Sequence, residues 1–380
     1  KGVYQGEAGD FEDNHLRFAV LSRAALVVVR RLFRSQIFHC HDWQASLAPV
    51  YLKAHLANDP TFLGARVLLT IHNLGYQGIF PAGALAELGL GEELFNPEML
   101  EFYGSLNLLK GGIVFSDAIN TVSRKYAEEI QTPEYGFGLD GLLRARRDSL
   151  TGILNGVDYG EWNPETDPYI AANYSAADPA GKARCKRDLL EEFGFPPQAL
   201  DRPLVGIVSR FVSQKGFDLL EDASGALAAE DLTLVALGTG EARYEELFRR
   251  LAARYPDKIA VKIAYDNVLA HKIEAGSDIF LMPSRYEPCG LNQIYSLRYG
   301  AVPVVRATGG LDDTVDETTG FKFTSYNSEA LLGALRQALA AFKNPTLWRR
   351  LMLNGMSKDF SWRRSAGEYA MLYRRLLAES

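Results

Sequence analysis

A chain of 380 residues, 47% of them apolar, is long enough for two α/β domains that each bury a core. Its net charge of −6 excludes a general nucleic-acid or membrane binder, which would need a basic face; an anionic substrate must be met by local cations. Cys40, Cys185 and Cys289 are odd in number and far apart, which points to a reducing compartment rather than a disulfide scaffold. No apolar run approaches the roughly 20 residues needed to span a bilayer. The chain opens on Lys1 without an initiator Met, so a lost leader stays open as a reading.

In chain order the pattern predicts a helix over Asn14–Leu32, a strand over Gln36–His41 and a helix over Gln44–Leu56. Strands over Arg66–Ile71 and Ala118–Thr121 and a helix over Arg124–Gln131 follow. No strand precedes the opening helix, so the first sheet reads as incomplete. A polar stretch from Asn155 to Pro164 breaks the periodicity and sets a domain boundary. Beyond it lie β-branched apolar runs at 204–209, 232–237, 259–264, 278–282 and 302–306, with helix-length stretches such as Tyr244–Arg254 and Leu291–Tyr299 between them. Strands alternating with helices imply βαβ units and parallel sheets buried on both faces. The expected domains are 1–158 and 159–361, with a last helix, 362–380, of the kind that returns to the first domain.

Four loops follow second-half strands, and in a doubly wound sheet such loops converge on the ligand crevice. Ser209–Gly216 carries Arg210 and Lys215 before a helix, a set suited to a diphosphate; alone it reads equally well as two exposed, solvated cations. Gly238-Thr239-Gly240-Glu241 alone is a plain turn. Pro283–Leu291 offers Glu287 at a helix start, where it could instead merely complement the helix dipole. Ala307-Thr308-Gly309-Gly310-Leu311 is the fourth, and four such loops on one edge are far less expected by chance than any one.

In the first half His39 and His41 share a strand face, which superficially suggests a metal site. No further spaced ligand cluster joins them, and local hydrogen bonding is the better reading. Asp42 and Trp43 form a sugar-facing pair, a carboxylate for hydroxyls and an aromatic face for a pyranose. His72 and Asn73 close another strand and point to the crevice, with a core-capping histidine as the equal alternative. P-loop, serine-elbow and Asp-x-Asp patterns are absent, so cations rather than a metal ion should neutralise a leaving group.

At these residues the chain resembles bacterial glycogen synthases and plant starch synthases. The matching blocks are HCHDW at 39–43, TIHNLGYQGIFP at 70–81, NTVSRKYAEEI at 120–130 and ILNGVDYGEWNPETD at 153–167. SRFVSQKGFDLL at 209–220, PSRYEPCGLNQIYSLRYG at 283–300 and TGGLDDTV at 308–315 complete them in the family's order. The resemblance implies a GT-B fold, two Rossmann-like doubly wound domains facing a cleft, and a retaining enzyme moving glucose from ADP-glucose to the non-reducing end of an α-1,4-glucan without a cofactor. It implies that Arg210 and Lys215 hold the diphosphate, with backbone donors at Leu291 and Asn292, and that Glu287 contacts the glucose. His72 would brace the transferring sugar, with its backbone carbonyl near the anomeric carbon, Asp42 and Asn155 would bind hydroxyls, and Tyr265 would stack on adenine. Asn73, Cys289, Gly290, Thr308, Gly309 and Gly310 complete the implied substrate-binding set.

The sequence departs from the family at several points. Tyr295 stands where many retaining GT-B enzymes have a second Glu, as in the glycogen and starch synthase branch. Asn292 stands where that branch usually has Thr, and Ala264-Tyr265-Asp266-Asn267 departs from its commoner Gly-Tyr-x-Glu. The family's opening strand and Lys-x-Gly-Gly-Leu loop do not occur, from which a missing N-terminal segment and poor transfer by residues 1–380 alone are expected. The alternatives are another donor, such as UDP-glucose, and a non-catalytic nucleotide- or glucan-binding fragment. The implied location is the bacterial cytoplasm, or a plastid for a plant protein.

Overall fold

The computed structural model describes residue 3, residues 5–6 and residues 9–378; the remaining terminal positions of the expected 1–158 and 362–380 segments lie outside the described residues. The chain divides into two compact units, Lys1–Ile153 with Gly367–Ser380, and Leu154–Ala366. The division thus falls before the 155–158 turn rather than after it. Val157 forms a bridge with Ser361, and its N–H donates to the Phe360 carbonyl at 2.9 Å, so the turn belongs to the second unit.

The first unit holds a parallel sheet ordered Ile37–His41, Arg66–Ile71, Ala118–Thr121, Leu150–Gly152. Its register sets His41 beside Thr70 and Thr70 beside Asn120. Partners in register point to the same face, and alternation puts His39 on that face too. Further along the strands the same face becomes apolar: Leu68 and Ala118 pack with Ile153 and with Leu372 and Leu376 of the last helix, Trp362–Ala378. Burying those two leucines contributes roughly 1.5–3 kcal/mol each, which anchors the later turns of that helix. Helices Asn14–Leu32, Leu47–Ala54 and Leu108–Phe115 form an adjoining packed layer, the last started by the Asn107 side chain accepting from Lys110 N–H at 2.9 Å. The strand Leu150–Gly152 and a small antiparallel sheet of Ile79–Pro81, Ser105–Asn107 and Glu101–Phe102 were not foreseen; at two or three residues each they are too short for alternation to show.

The second unit is built on six parallel strands ordered Ile259–Ile263, Thr233–Gly238, Leu204–Val208, Ile279–Met282, Val302–Arg306, Phe321–Phe323. The order runs outward in one direction from Leu204–Val208 and in the other from Ile279–Met282, so the topological switch lies between these two central strands. The sheet is buried on both faces: Val205, Ile207, Leu281 and Val304 are enclosed on one and Leu204, Phe280 and Val305 on the other. Side-chain caps punctuate the helices. Asp266 accepts from Leu269 N–H at 2.9 Å to start Asn267–Gly276, and Asn327 accepts from Ala330 N–H at 2.8 Å to start Ser328–Phe342.

Candidate active site

The switch point of the second unit gathers the loops Ser209–Gly216 and Pro283–Leu291. They are pinned by Arg285 N–H to the Gln214 carbonyl at 2.8 Å and by Gln214 Nε2 to the Tyr286 carbonyl at 3.2 Å. Gly216 makes the approach possible: its φ is +74°, and a Cβ there would stand 2.0 Å from the Pro283 carbonyl oxygen. The loop after Val302–Arg306 closes on the same place. Gly309 has a φ of +45° and abuts the Glu287 carbonyl, which accepts from Gly310 N–H at 3.0 Å.

This nesting places Lys215 Nζ 2.5 Å from Glu287 Oε2, where Ser284 Oγ donates to the same oxygen at 3.1 Å. The Glu287 side chain is 7% exposed and that of Lys215 only 17%. The expectation of a solvated loop cation is therefore corrected for Lys215, whose ammonium is spent on a buried carboxylate. Glu287 in turn is held by side chains of two loops, so the dipole alternative does not account for its position. Arg210, on the same loop as Lys215, remains exposed.

Beside them is a cavity of about 260 Å³ lined by Arg210, Thr239, Tyr265, Asn292 and Trp162 among others. Tyr265 is 91% exposed, a free face on the cavity rim. Asn292 donates its side-chain amide to the Val208 carbonyl at 2.5 Å, which ties the helix Asn292–Arg298 to the end of the central strand. Cys289 is buried, and its thiol is pushed up to about 12 by that burial, against a small opposing pull from the backbone N–H of Asn155 at the sulfur. Asn155, Cys289, Gly290 and the Thr308–Gly310 turn thus lie in one neighbourhood with Glu287.

Sequence reasoning missed Trp162 as a part of this pocket. Its indole stacks between His271, at 3.8 Å and 11°, and Tyr295, at 4.0 Å and 8°. Asp167 orders the stack from beneath, 2.7 Å from His271 Nδ1 and accepting from the Tyr299 hydroxyl at 2.6 Å. The only signal was that Trp162 and Asp167 share the 153–167 block; their partners lie more than a hundred residues away.

In the first unit the strand ends carry the other candidates. Asp42 adopts a φ of +55°, a conformation Asp tolerates better than most residues. That turn aims its carboxylate at the next strand, where Oδ1 accepts from His72 N–H at 2.7 Å. Burial raises the Asp42 carboxyl above the usual range, opposed by His72 and by the backbone N–H groups of His72 and Asn73. Asn73 Oδ1 accepts from Gly75 N–H at 3.0 Å, shaping its own loop. The Trp43 indole is largely buried, edge-on to Phe18 at 4.9 Å and closely approached by Gly78, and it lines a cavity of about 410 Å³ with Tyr76, Phe80 and Phe102. His39 and His41 are stacked at 4.2 Å, and His41 Nδ1 lies 3.0 Å from His72 Nε2. Among the described residues no group of three or more His, Cys, Asp or Glu is placed to hold a metal ion.

The switch point of this doubly wound sheet thus gathers cations, a buried carboxylate and an aromatic-rimmed cavity, and the class of protein is a glycosyltransferase. Residues 191–349 match the family described as glycosyl transferases group 1, and residues 1–145 match the starch synthase catalytic domain. The fold is GT-B: a sucrose-phosphate synthase from Thermosynechococcus elongatus superposes with a TM-score of 0.63 at 20% identity, over 99% of this chain and 82% of that one. The chain belongs to the glycogen synthase and starch synthase family of glycosyltransferases. It is 56% identical to glycogen synthase of Koribacter versatilis strain Ellin345, over 98% of this chain and 78% of that protein. It is 52% identical to glycogen synthase of Anaeromyxobacter sp. strain Fw109-5, over 100% and 81% respectively. The catalytic domain of Arabidopsis thaliana starch synthase IV, solved bound to ADP and acarbose, matches with a TM-score of 0.90 at 35% identity, over 98% of this chain and 79% of that one. Among the described residues no helix is long and apolar enough to cross a membrane.

Proposed function

We propose that this chain transfers glucose from ADP-glucose to the non-reducing 4-hydroxyl of an α-1,4-glucan with retention at the anomeric carbon, in a bacterial cytoplasm. The observation that carries the reading is the Lys215–Glu287 pair, held at the switch point on the loop that also carries exposed Arg210. ADP leaves as an anion while positive charge develops on the sugar. A cation and a carboxylate fixed side by side stabilise both halves of that separation without reorganising.

Arg210 and Lys215 take the diphosphate. Asn292 contributes through its backbone, because its side chain is engaged with Val208. Tyr265 stacks on the adenine, and Glu287 faces the glucose with Asn155, Cys289, Gly290 and the Thr308–Gly310 turn around it. In the first unit His72 braces the sugar, and Asp42 and Asn73 shape the loop that presents it. As the bond from the anomeric carbon to the phosphate oxygen breaks, its electron pair goes to ADP. The acceptor hydroxyl oxygen bonds the same face of that carbon and its proton passes to the departing phosphate. The test is glucose incorporation into maltoheptaose from ADP-glucose and from UDP-glucose, with the new linkage read by proton NMR. The expected result is an α-1,4 product and a preference of at least about tenfold for ADP-glucose. A preference for UDP-glucose, or a β-linked product, would overturn the assignment.

A further inference from the structure

His72 has a role in the proposed reaction, but the two histidines beside it, His39 and His41, have none, and the hydrogen bonds of His39 can be followed proton by proton. Asn120 Nδ2 donates to the Thr121 carbonyl at 3.4 Å and to the Tyr369 hydroxyl at 3.1 Å, so its Oδ1 is the atom that meets Thr70. An amide oxygen only accepts, and the Thr70 hydroxyl proton therefore goes to it. Thr70 Oγ1 must then accept from His39 Nε2, 2.5 Å away, which fixes the proton on that nitrogen. Burial, with His41 and His72 nearby, lowers His39 to about 4, so at neutral pH its Nδ1 is bare and accepts from the Tyr373 hydroxyl at 2.7 Å. His39 is thus one neutral tautomer, locked between two strands and the last helix.

His41 lies on this fixed ring, 4.2 Å away and tilted by 30°, and presents Nδ1 to His72 Nε2 at 3.0 Å. The main chain of His72 is already held by Asp42. Its ring is not: the terminal torsion of histidine is broad and nearly two-fold, so backbone placement alone leaves the imidazole free to flip. A hydrogen bond to one named nitrogen removes that freedom.

We propose that His41 is a positioning residue, which, stacked on His39, holds the His72 imidazole in one orientation for contact with the transferring sugar. This rests on the reading of His72 given above. His41 itself is exposed, so it adds little to folding and its loss need not disturb the unit.

The experiment compares His41→Phe, which keeps the stack and deletes the hydrogen bond, with His41→Asn, whose amide can replace Nδ1, and with His72→Ala. A misplaced group costs up to about a hundredfold. His41→Phe should lower kcat about 10–100-fold while KM for ADP-glucose stays within about threefold and the melting temperature is unchanged. His41→Asn should recover kcat to within about fivefold of the parent. Side-chain NMR at about pH 8 should show one set of His72 ring signals in the parent and a broadened, averaged set in His41→Phe. Parental kcat in His41→Phe with an impaired His72→Ala would overturn this inference alone. Parental kcat in His72→Ala would overturn the reading of His72 beneath it. Equal losses in His41→Phe and His41→Asn, with a lowered melting temperature, would make His41 merely structural.

Discussion

At the strand ends of the first unit the polar groups are tied to one another, whereas at the switch point of the second a charge is left open. In the first, His39 donates to Thr70 and accepts from Tyr373, His41 bonds His72, and the Asp42 carboxylate caps the backbone at His72. In the second, Arg210 is exposed, and the one tight pair, Lys215 with Glu287, joins a cation to the carboxylate that shares its site. Internally satisfied groups suit an uncharged sugar, which needs fixed hydrogen-bonding geometry. An open guanidinium and an ammonium fixed beside it on the same loop suit a diphosphate, which needs charge.

The contrast predicts different failures for the two sides. The largest effect should come from Lys215→Ala, which removes a charge that stabilises the leaving group: turnover should fall on the order of 10²–10³-fold. It should also cost about 1–3 kcal/mol of stability in urea unfolding, because the buried Glu287 carboxylate loses its cation and keeps only Ser284. Activity within a few-fold of the parent would remove Lys215 from the site. Tyr265→Ala should be milder, weakening ADP binding by about tenfold in calorimetry, in line with the loss of one stacking face, without a change in melting temperature. Unaltered ADP affinity would show that the exposed ring is not the adenine platform.

The last effect belongs to the first unit, acts on stability rather than turnover and depends on pH. His39 titrates at about 4 in the fold against 6.5 when unfolded, so the unfolded chain binds more protons between these values. Stability from this group is full above pH 6.5 and is lost as the pH falls toward 4. After discounting for partial exposure the loss is about 2 kcal/mol. Melting temperatures of the parent and of His39→Gln from pH 7 to 4.5 should therefore converge as the pH falls. Parallel curves would place the proton elsewhere in the cluster.

Much of this arrangement was legible in the sequence because it is local. The runs that became Leu204–Val208, Ile279–Met282 and Val302–Arg306 are apolar and bounded by glycine-rich loops, and the loops carry their own cations and carboxylate. What sequence did not reveal is long-range. Lys215 and Glu287 are 72 residues apart and His39 and Tyr373 are 334 apart, so neither pairing has a pattern that a window could register. Trp43 reads from sequence as a sugar platform because an aromatic face stands beside the Asp42 carboxylate; only the packing of Phe18 and Gly78 shows how much of the ring is buried. Trp162 sits in a recognisable block, yet its place between His271 and Tyr295 follows from helix packing alone.

The central claim is that Glu287 acts on the sugar while its partner Lys215 grips the diphosphate. Glu287→Gln separates the two most directly, because it keeps the shape, removes the carboxylate charge and leaves Lys215 free for phosphate. Calorimetry with ADP beside a turnover assay should show ADP affinity unchanged or stronger, and within about tenfold of the parent, while turnover drops at least a hundredfold. Equal losses of ADP affinity and turnover would contradict the account and return Glu287 to a purely structural role.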